Sequence, residues 1–384
     1  MSFSQIAGET AAGPDAAGAD MPVLALLTAR FRTQRPLVGR RVAALVNVTA
    51  EAVAFVGALG AAGADLLIVS SKTTTYDARA AERMTERGAR VLAEPVAVAG
   101  RAARELMGFA PELVLDNGDL TELYLRVHES PVLGGTVHSH NALKRVSGSA
   151  AELPFPVLVV AQSPLKSAVE TPYGTGQAAV RGVIDRGVQL AGKRVLVLGY
   201  GMAGRAVADF ARGCHARVAV TETAPLAALQ AVYHGYELVA LADGLADADV
   251  VISVTDSDNA LTLEHLSLLK DGAVVGGIGH SATEIDRAGL ARVASEVLTE
   301  AGAVRYLIGG RWLSVLEGPG GNHVYAGINP PEMMDLSFAL HALCLVWLAE
   351  SPPLPRRLLP VPPEINAQVA LAKLTSLGLA GALS

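Results

Sequence analysis

Residues 195–204 read VLVLGYGMAG, an apolar run that ends in the pattern Gly-x-Gly-x-x-Gly. The run predicts a buried strand, and residues 204–213 that follow have the period of a helix. In such a turn Gly199 permits the sharp bend, Gly201 lets the backbone approach a pyrophosphate, and Gly204 lets the helix pack closely on the strand. The stretch therefore predicts a Rossmann dinucleotide-binding fold.

A second predicted strand, 217–221, ends beside Glu222, 23 residues after Gly199. An acid near this position hydrogen-bonds the ribose diol of NAD, and its charge repels the 2′-phosphate of NADP. Because no arginine is adjacent, NAD is the predicted cofactor. Met202 and Ala203, at the start of the helix, are expected to contact its phosphates. The alternative is a glycine-rich turn that holds no ligand.

Short apolar runs alternate with helical stretches over nearly the whole chain. The runs are continuous, which is typical of parallel strands covered by helices on both faces. The predicted strands are 42–48, 66–69, 90–93, 113–115 and 157–160, then 195–198, 217–221, 249–254, 273–276 and 312–315. The predicted fold class is α/β, with a Rossmann NAD-binding domain inserted in a second, doubly wound α/β domain that binds substrate.

Two turn-rich breaks, at 171–176 and 317–322, indicate the domain boundaries. The last part of the chain is too small to fold alone, so we expect it to return to the first domain. The predicted segments are a mobile tail over 1–20, a substrate-binding domain over 21–172, the NAD-binding domain over 173–325, and C-terminal helices over 326–384.

Composition narrows the class of partners. The 384-residue chain has a net charge of −6, which argues against binding to nucleic acid. Cys214 and Cys344 have neither disulfide nor metal-ligand spacing, so no metal is expected and a reducing cytoplasm is the expected compartment. The longest apolar run, 339–348, contains His341 and is too short to span a bilayer. It predicts a buried helix that could also serve as the interface of a homo-oligomer, a dimer or tetramer.

Further motifs occur in a fixed order along the chain. They are VTAE at 48–51, LDNGDLT at 115–121, SPLKS at 163–167, the cofactor segment 191–204, VTE at 220–222, GYE at 235–237, GIGH at 277–280, EID at 284–286 and PPEI at 362–365. Together they resemble the S-adenosyl-L-homocysteine hydrolase (adenosylhomocysteinase) family over nearly the whole chain. Ordered motifs over that span are far more specific than any one of them.

The resemblance implies an enzyme that uses bound NAD on a small nucleoside. In the family, oxidation of the ribose 3′-OH acidifies the C4′ proton, and loss of that proton expels the 5′ substituent. The catalytic residues that it implies are Lys166, Glu170, His280 and Asp116. The cofactor contacts that it adds are Thr136, Thr171, Thr255, Gly279 and Ser314. The substrate contacts that it implies are Asn47, Thr49, Glu51, Asn117 and His323.

The chain departs from the family pattern mainly on the substrate side. Asn47 stands where the family has the histidine that serves the 5′ side, and Glu170 replaces an aspartate. The run 134–139 replaces a Glu-Glu-Thr-Thr-Thr-Gly segment and keeps only Thr136. His138 and the nearby His140 could supply replacement acid–base groups, with a solvated loop as the equal alternative.

These departures leave two functions open. The first is hydrolysis of S-adenosylhomocysteine or a close thioether nucleoside. The second is a divergent NAD-dependent nucleoside-modifying enzyme of a biosynthetic pathway, which oxidises, epimerises or couples its substrate with little or no such hydrolysis. A non-catalytic NAD-binding regulator is disfavoured by Lys166 and His280. Since the family's C-terminal extension and most of its threonine run have no counterpart, we expect NAD to be lost more readily.

Overall fold

The computed structural model describes residues 21–73, 76–95, 100–116, 120–125, 131–149, 153–255, 257–278, 283–300, 302–317 and 329–383. Within these residues, contacts divide the chain into two compact units. Unit 1 comprises the described residues of Met1–Glu170 and Pro331–Ser384, and unit 2 comprises those of Thr171–Pro330. Unit 2 is thus an insertion in the chain of unit 1.

Strands and helices alternate through both units. The strands are β1 (Arg41–Val46), β2 (Asp65–Ser70), β3 (Arg90–Leu92), β4 (Leu113–Asp116), β5 (Gly134–Val137), β6 (Val157–Val159), β7 (Arg194–Leu198), β8 (Arg217–Thr221), β9 (Glu237–Leu238), β10 (Val250–Ser253), β11 (Val274–Gly277), β12 (Glu296–Glu300), β13 (Ala303–Ile308), β14 (Arg311–Leu316) and β15 (Leu358–Leu359). The α-helices are α1 (Pro22–Gln34), α2 (Ala50–Ala61), α3 (Ala78–Glu86), α4 (Arg101–Phe109), α5 (Leu120–Leu125), α6 (His140–Ser149), α7 (Gly176–Ile184), α8 (Met202–Gly213), α9 (Pro225–Tyr233), α10 (Leu241–Asp247), α11 (Leu263–Ser267), α12 (Arg287–Val293), α13 (Pro331–Glu350) and α14 (Pro363–Ser376). A π-helix over Lys166–Thr175, called here the linker helix, connects the two units along the chain.

Unit 1 is built on a parallel sheet of seven strands in the order β15-β6-β5-β4-β1-β2-β3. Along the chain, β2 and β3 follow β1 on one side of it in the sheet, and β4 is then added on the other side of β1. The carboxyl ends of β1 and β4 therefore flank a switch point. Open α/β sheets bind their ligands in the crevice at such a point.

Both faces of this sheet are buried, as its continuous apolar strands require. In β1, Val42, Ala44 and Val46 face the core formed with α1, α2, α3, α13 and α14. Ala43 and Leu45 face the second core, formed with α4, α5 and α6. Because successive side chains point to opposite faces of the sheet, one apolar run contributes to both cores.

Helix α13 is long and apolar enough to cross a membrane by length and composition, but 67% of its apolar window is buried inside the protein. Leu340 and Leu345, in the run predicted to be a buried helix, are fully buried in the first core of unit 1. Most of this apolar run therefore packs inside unit 1, as predicted for a buried helix, and the homo-oligomer stays a prediction.

One acidic residue of α13 is buried in that core. The two Asp335 carboxylate oxygens accept the backbone N–H groups of Val23 at 2.8 Å and Leu24 at 2.7 Å. These N–H groups lie in the first turn of α1, where the helix has no acceptor of its own, and Met21 at the N-cap supplies none. Burial raises the pKa of Asp335 to about 6, although the two hydrogen bonds act in the opposite direction.

Unit 2 is built on a sheet of eight strands in the order β12-β13-β14-β11-β10-β7-β8-β9. The strands from β14 to β9 are parallel, and the edge formed by β12, β13 and β14 is antiparallel. After β7, β8 and β9 the chain returns to place β10 beside β7, so the switch point lies between β7 and β10. This is the Rossmann arrangement, and the predicted α/β fold class is confirmed.

Candidate active site

The predicted fingerprint forms the turn between β7 and α8. Gly199 has a φ of +89°, a conformation that favours glycine, and its N–H donates to the Thr221 carbonyl at 2.8 Å. A Cβ atom on Gly204 would lie 2.0 Å from the Gly199 carbonyl oxygen. Helix α8 can therefore approach β7 this closely only with glycine at position 204.

Gly201 has a different environment. It is the N-cap of α8, it makes no side-chain cap, and a Cβ atom placed on it would meet nothing within 4 Å. The open space therefore lies at the helix N-terminus, where the N–H groups that begin with Met202 and Ala203 lack intrahelical acceptors. This is the arrangement that receives phosphate groups.

Glu222 follows β8 at the same edge. Its carboxylate accepts the backbone N–H groups of Tyr200 at 2.6 Å, Thr223 at 2.6 Å and Ala224 at 2.7 Å. Burial alone would raise the pKa of Glu222, but these hydrogen bonds outweigh it and hold the pKa below its ordinary value. The carboxylate is therefore ionised at neutral pH and tied to the fingerprint turn through Tyr200.

Thr255 follows β10, across the switch point from Gly199. Glu284, the buried first residue of the EID motif, accepts the Thr255 hydroxyl at 2.8 Å, the Thr255 N–H at 3.1 Å and the Ser253 hydroxyl at 2.6 Å. A Cβ atom on Gly199 would lie 3.4 Å from the Thr255 methyl group. The structure thus brings Thr255 to the fingerprint, whereas Ser314 pairs with Val274 at the amino end of β11.

A buried polar cluster occupies the carboxyl side of β6 in unit 1. The Lys166 ammonium donates to the Glu170 carboxylate in a short contact and to the Ser337 hydroxyl at 3.1 Å. The Ser337 hydroxyl in turn donates to Glu170 at 3.1 Å. Lys166 and Glu170 lie one turn apart on the linker helix, and Ser337 reaches them from α13, which no local motif could indicate. All three residues are buried.

Two histidines lie beside this cluster. His138 Nδ1 is 2.9 Å from His341 Nε2, and His341 Nδ1 is 2.8 Å from the Thr136 hydroxyl. Burial, together with the charge of Lys166, lowers the pKa of His138 and His341 well below the ordinary value, and His341 itself adds to the effect on His138. Both rings are therefore neutral at neutral pH. The Thr136 hydroxyl serves His341 here, so its predicted contact with the cofactor has no support in this arrangement.

The remaining predicted residues of unit 1 lie at the switch point. Asp116 ends β4 and accepts the Thr121 N–H at 2.9 Å, while Asn47 follows β1 and accepts the Ser71 hydroxyl at 2.5 Å. Thr49 is the N-cap of α2 and makes no side-chain cap. Glu51, in the first turn of α2, has one buried carboxylate oxygen without a hydrogen-bond partner among the described residues.

Four other predicted residues lie outside the described part of the chain, and a fifth lies at the boundary between the units. Asn117, Gly279, His280 and His323 lie outside the described residues. Thr171 is buried in the linker helix, where unit 2 begins. The predicted roles of all these residues stay predictions.

Comparison with known proteins identifies the family. Residues 172–308 match the family model described as S-adenosyl-L-homocysteine hydrolase, NAD binding domain. The adenosylhomocysteinase of Gloeobacter violaceus is 34% identical over 380 residues, a match that covers 95% of this chain and 89% of that one. The chain belongs to the adenosylhomocysteinase family. The adenosylhomocysteinases of Thermosynechococcus vestitus and Sulfolobus acidocaldarius are similar at 33% and 31% identity, over 95% and 94% of this chain and 88% and 89% of theirs.

Membership of the adenosylhomocysteinase family confirms the predicted class of enzyme and its cofactor, NAD. The residues of unit 2 fit that cofactor. Gly201 leaves open space at the N-terminus of α8, and Glu222 presents an ionised carboxylate at the end of the neighbouring strand. In this adenosylhomocysteinase relative, those residues would hold the pyrophosphate and the adenosine ribose of NAD.

Proposed function

We propose that this protein oxidises the ribose 3′-OH of a nucleoside and so enables elimination and addition at C5′. The observation that carries the proposal is the buried cluster of Lys166, Glu170 and Ser337. A charge pair withdrawn from water is costly and weak as a stabilising device. Its presence at the carboxyl side of β6, in the sheet that contains the switch point of unit 1 of an NAD-dependent enzyme, favours a role in proton transfer.

The three side chains can take up a proton by neutralising the buried Glu170 carboxylate, so that Lys166 remains an ammonium and the cluster gains one positive charge. When bound, NAD supplies the acceptor for the hydride that leaves C3′ and later returns it. As the 3′-OH ionises, Lys166 passes one proton to Glu170 and takes the hydroxyl proton in its place. The Ser337 hydroxyl is hydrogen-bonded to both partners and fixes the position of the ammonium relative to the carboxylate.

The opposite end of the site suits a nucleobase. Glu51 has a buried carboxylate oxygen without a partner among the described residues, which costs free energy unless a ligand donates to it. An exocyclic amine of a base is such a donor. Along the edge from β1, Asp116 on β4 then lies where the ribose would follow, toward Lys166 beyond β6.

Asn47 favours a second candidate, the divergent nucleoside-modifying enzyme. Its amide oxygen already accepts the Ser71 hydroxyl, and an amide cannot act as a general acid. General acid assistance contributes about a hundred- to ten-thousand-fold in rate. Unless another side chain brings a proton to the 5′ side, S-adenosylhomocysteine would be hydrolysed slowly even though the 3′-OH is oxidised.

One experiment tests the proposal and separates the candidates. The purified protein, loaded with NAD, is incubated with adenosine or with S-adenosylhomocysteine. Absorbance of the reduced nicotinamide reports oxidation, and release of adenosine and of a thiol reports hydrolysis. We expect reduction with adenosine. The absence of reduction with both nucleosides would contradict the proposal, and rapid release of thiol would favour the ordinary family reaction over the divergent one.

A further inference from the structure

The histidine pair is the part of unit 1 that the proposed oxidation does not use. His138 follows β5, and its N–H donates to the Asp116 carbonyl at 3.0 Å across the sheet edge. Strand β5 lies between β4, which ends at Asp116, and β6, which leads into the linker helix with Lys166. His138 is therefore two strand spacings from the end of β1, about 10 Å, which is within the span of a nucleoside.

Hydrogen bonding restricts the tautomers of the two rings. Since both are neutral, only one nitrogen of the contact between His138 Nδ1 and His341 Nε2 carries a proton. If His341 donates its Nδ1–H to the Thr136 hydroxyl, its Nε2 must accept from His138 Nδ1–H. His138 then keeps an unprotonated Nε2, and its ring is half-buried at the carboxyl edge.

We propose that His138 is a catalytic residue that carries the proton from C4′ of the oxidised nucleoside to the 5′ leaving atom, with His341 as its positioning residue. The inference rests on the proposed function, because only the 3′-ketone makes the C4′ proton acidic. It supplies a proton carrier for the 5′ side, where Asn47 has none.

The step is balanced in protons and electrons. His138 Nε2 takes the C4′ proton, and the electron pair of that bond forms the C4′–C5′ double bond as the bond from C5′ to the leaving atom breaks. The imidazolium then gives the same proton to the leaving atom and becomes neutral again. Throughout, Nδ1–H remains hydrogen-bonded to His341, whose Nδ1–H remains on Thr136.

The electrostatics of the site suit a carrier that holds its proton briefly. Burial and two neighbours, Lys166 on the linker helix and His341 on α13, disfavour a positive charge on His138. The imidazolium formed by taking the C4′ proton is therefore a stronger acid than free histidine, and it passes the proton on readily. His341, fully buried on α13, cannot reach the ligand and acts only through His138.

The test separates oxidation from proton removal with adenosine as the probe. The NAD-loaded protein is incubated with adenosine in D₂O, absorbance reports reduction of NAD, and mass spectrometry reports deuterium at C4′. We expect His138→Gln to keep the reduction within about threefold and to lose the exchange by about a hundredfold or more. The same substitution at His140, exposed at the start of α6, tests the other histidine of this loop. His341→Gln, which retains an acceptor for His138, should keep more exchange than His341→Leu.

Each outcome has a defined meaning. Exchange at the unmodified rate in His138→Gln, loss of exchange in His140→Gln instead, or loss of both signals in His138→Gln would overturn the inference. So would reduction without exchange in the unmodified protein. A protein that does not reduce NAD at all would contradict the proposed function instead. Independently of turnover, ¹⁵N spectra of the histidine side chains should show His138 protonated on Nδ1, and protonation on Nε2 would also overturn the inference.

Discussion

The carboxyl edges of the two sheets differ in what their sites are made of. In unit 2 the site is mostly backbone, with Gly199 at the turn, open space at Gly201 and the unpaired N–H groups of α8. In unit 1 it is made of side chains, such as Lys166 and His341, that come from distant parts of the chain. A backbone site suits a ligand that stays the same, since every sequence has N–H groups. A side-chain site can change with the substrate while its sheet is retained.

The largest expected effect tests the side-chain site. Lys166→Gln keeps a hydrogen bond to Glu170 but removes the group that accepts the 3′-OH proton. We expect the rate of NAD reduction by adenosine to fall by about a hundred- to ten-thousand-fold, with NAD binding retained. Rapid mixing with absorbance detection measures the rate, and calorimetry measures the binding.

Lys193→Gln is the matched control, because this exposed lysine lies at the amino end of β7, away from the carboxyl edge. It should leave the rate unchanged. If Lys166→Gln reduced NAD as fast as the control, proton transfer would not depend on the buried cluster. The view that the site of unit 1 is made of side chains would then be contradicted.

A second prediction concerns buried charge in unit 1. Because the pKa of Asp335 is raised to about 6 in the folded protein, folding favours the protonated form. The stabilisation is complete below the unfolded pKa of about 4 and is lost as the pH rises through about 6. Between pH 7 and pH 4 the unmodified protein should gain on the order of 3 kcal/mol relative to Asp335→Asn, as measured by urea unfolding. Parallel pH profiles of the two proteins would show that Asp335 does not titrate in this range.

A third prediction separates packing from binding within the backbone site. In Gly204→Ala the new methyl group meets the Gly199 carbonyl, so overpacking should cost about 1–3 kcal/mol of stability as well as NAD affinity. In Gly201→Ala the methyl group enters open space, so stability should change by less than about 0.5 kcal/mol while NAD binding weakens. Thermal unfolding and calorimetry measure the two quantities, and equal destabilisation by both variants would remove the distinction.

The smallest expected effect concerns Glu222, a side chain at the edge of the backbone site. Glu222→Gln keeps the length of the side chain but removes its charge, so NAD affinity should fall by about tenfold and the preference over NADP should nearly vanish. Burial opposes ionisation of Glu222, but the backbone N–H groups keep its pKa below the ordinary value. The unmodified protein should therefore keep its preference for NAD from about pH 8 down to about pH 5.5. Equal affinity of the unmodified protein for both cofactors would contradict the assignment.

Sequence patterns predict the parts of this fold in which local signals are strong. The apolar runs of β1, β7 and β10 and the fingerprint after β7 are each contained in a few consecutive residues, and the structure has them in those places. The antiparallel strand β12 was missed because its sequence, EVLTE, has only two apolar residues between charged and polar ones; all five residues are exposed. The short strand β5 was missed because Gly134 and Gly135, at its start, have low strand propensity.

The candidate site was predictable only where it follows a motif. Lys166 and Glu170 are neighbours on one helix, so the resemblance named them together. Ser337 and His341 lie in a helix that the sequence presents simply as apolar and buried, and their partners Lys166 and His138 are 171 and 203 residues away. No period or spacing connects residues so far apart, and only the packing of α13 against β5 and the linker helix joins them.

Helix α13 has a consequence for how this protein can be changed, in nature or in the laboratory. Asp335 secures the start of α1, Ser337 holds the lysine–glutamate pair, and His341 holds His138. Because successive residues turn by about 100° and rise by about 1.5 Å, an insertion or deletion of one residue between Asp335 and His341 would change how these side chains are placed relative to one another. Selection for a new substrate should therefore accept changes in the loops after the strands and reject changes along α13.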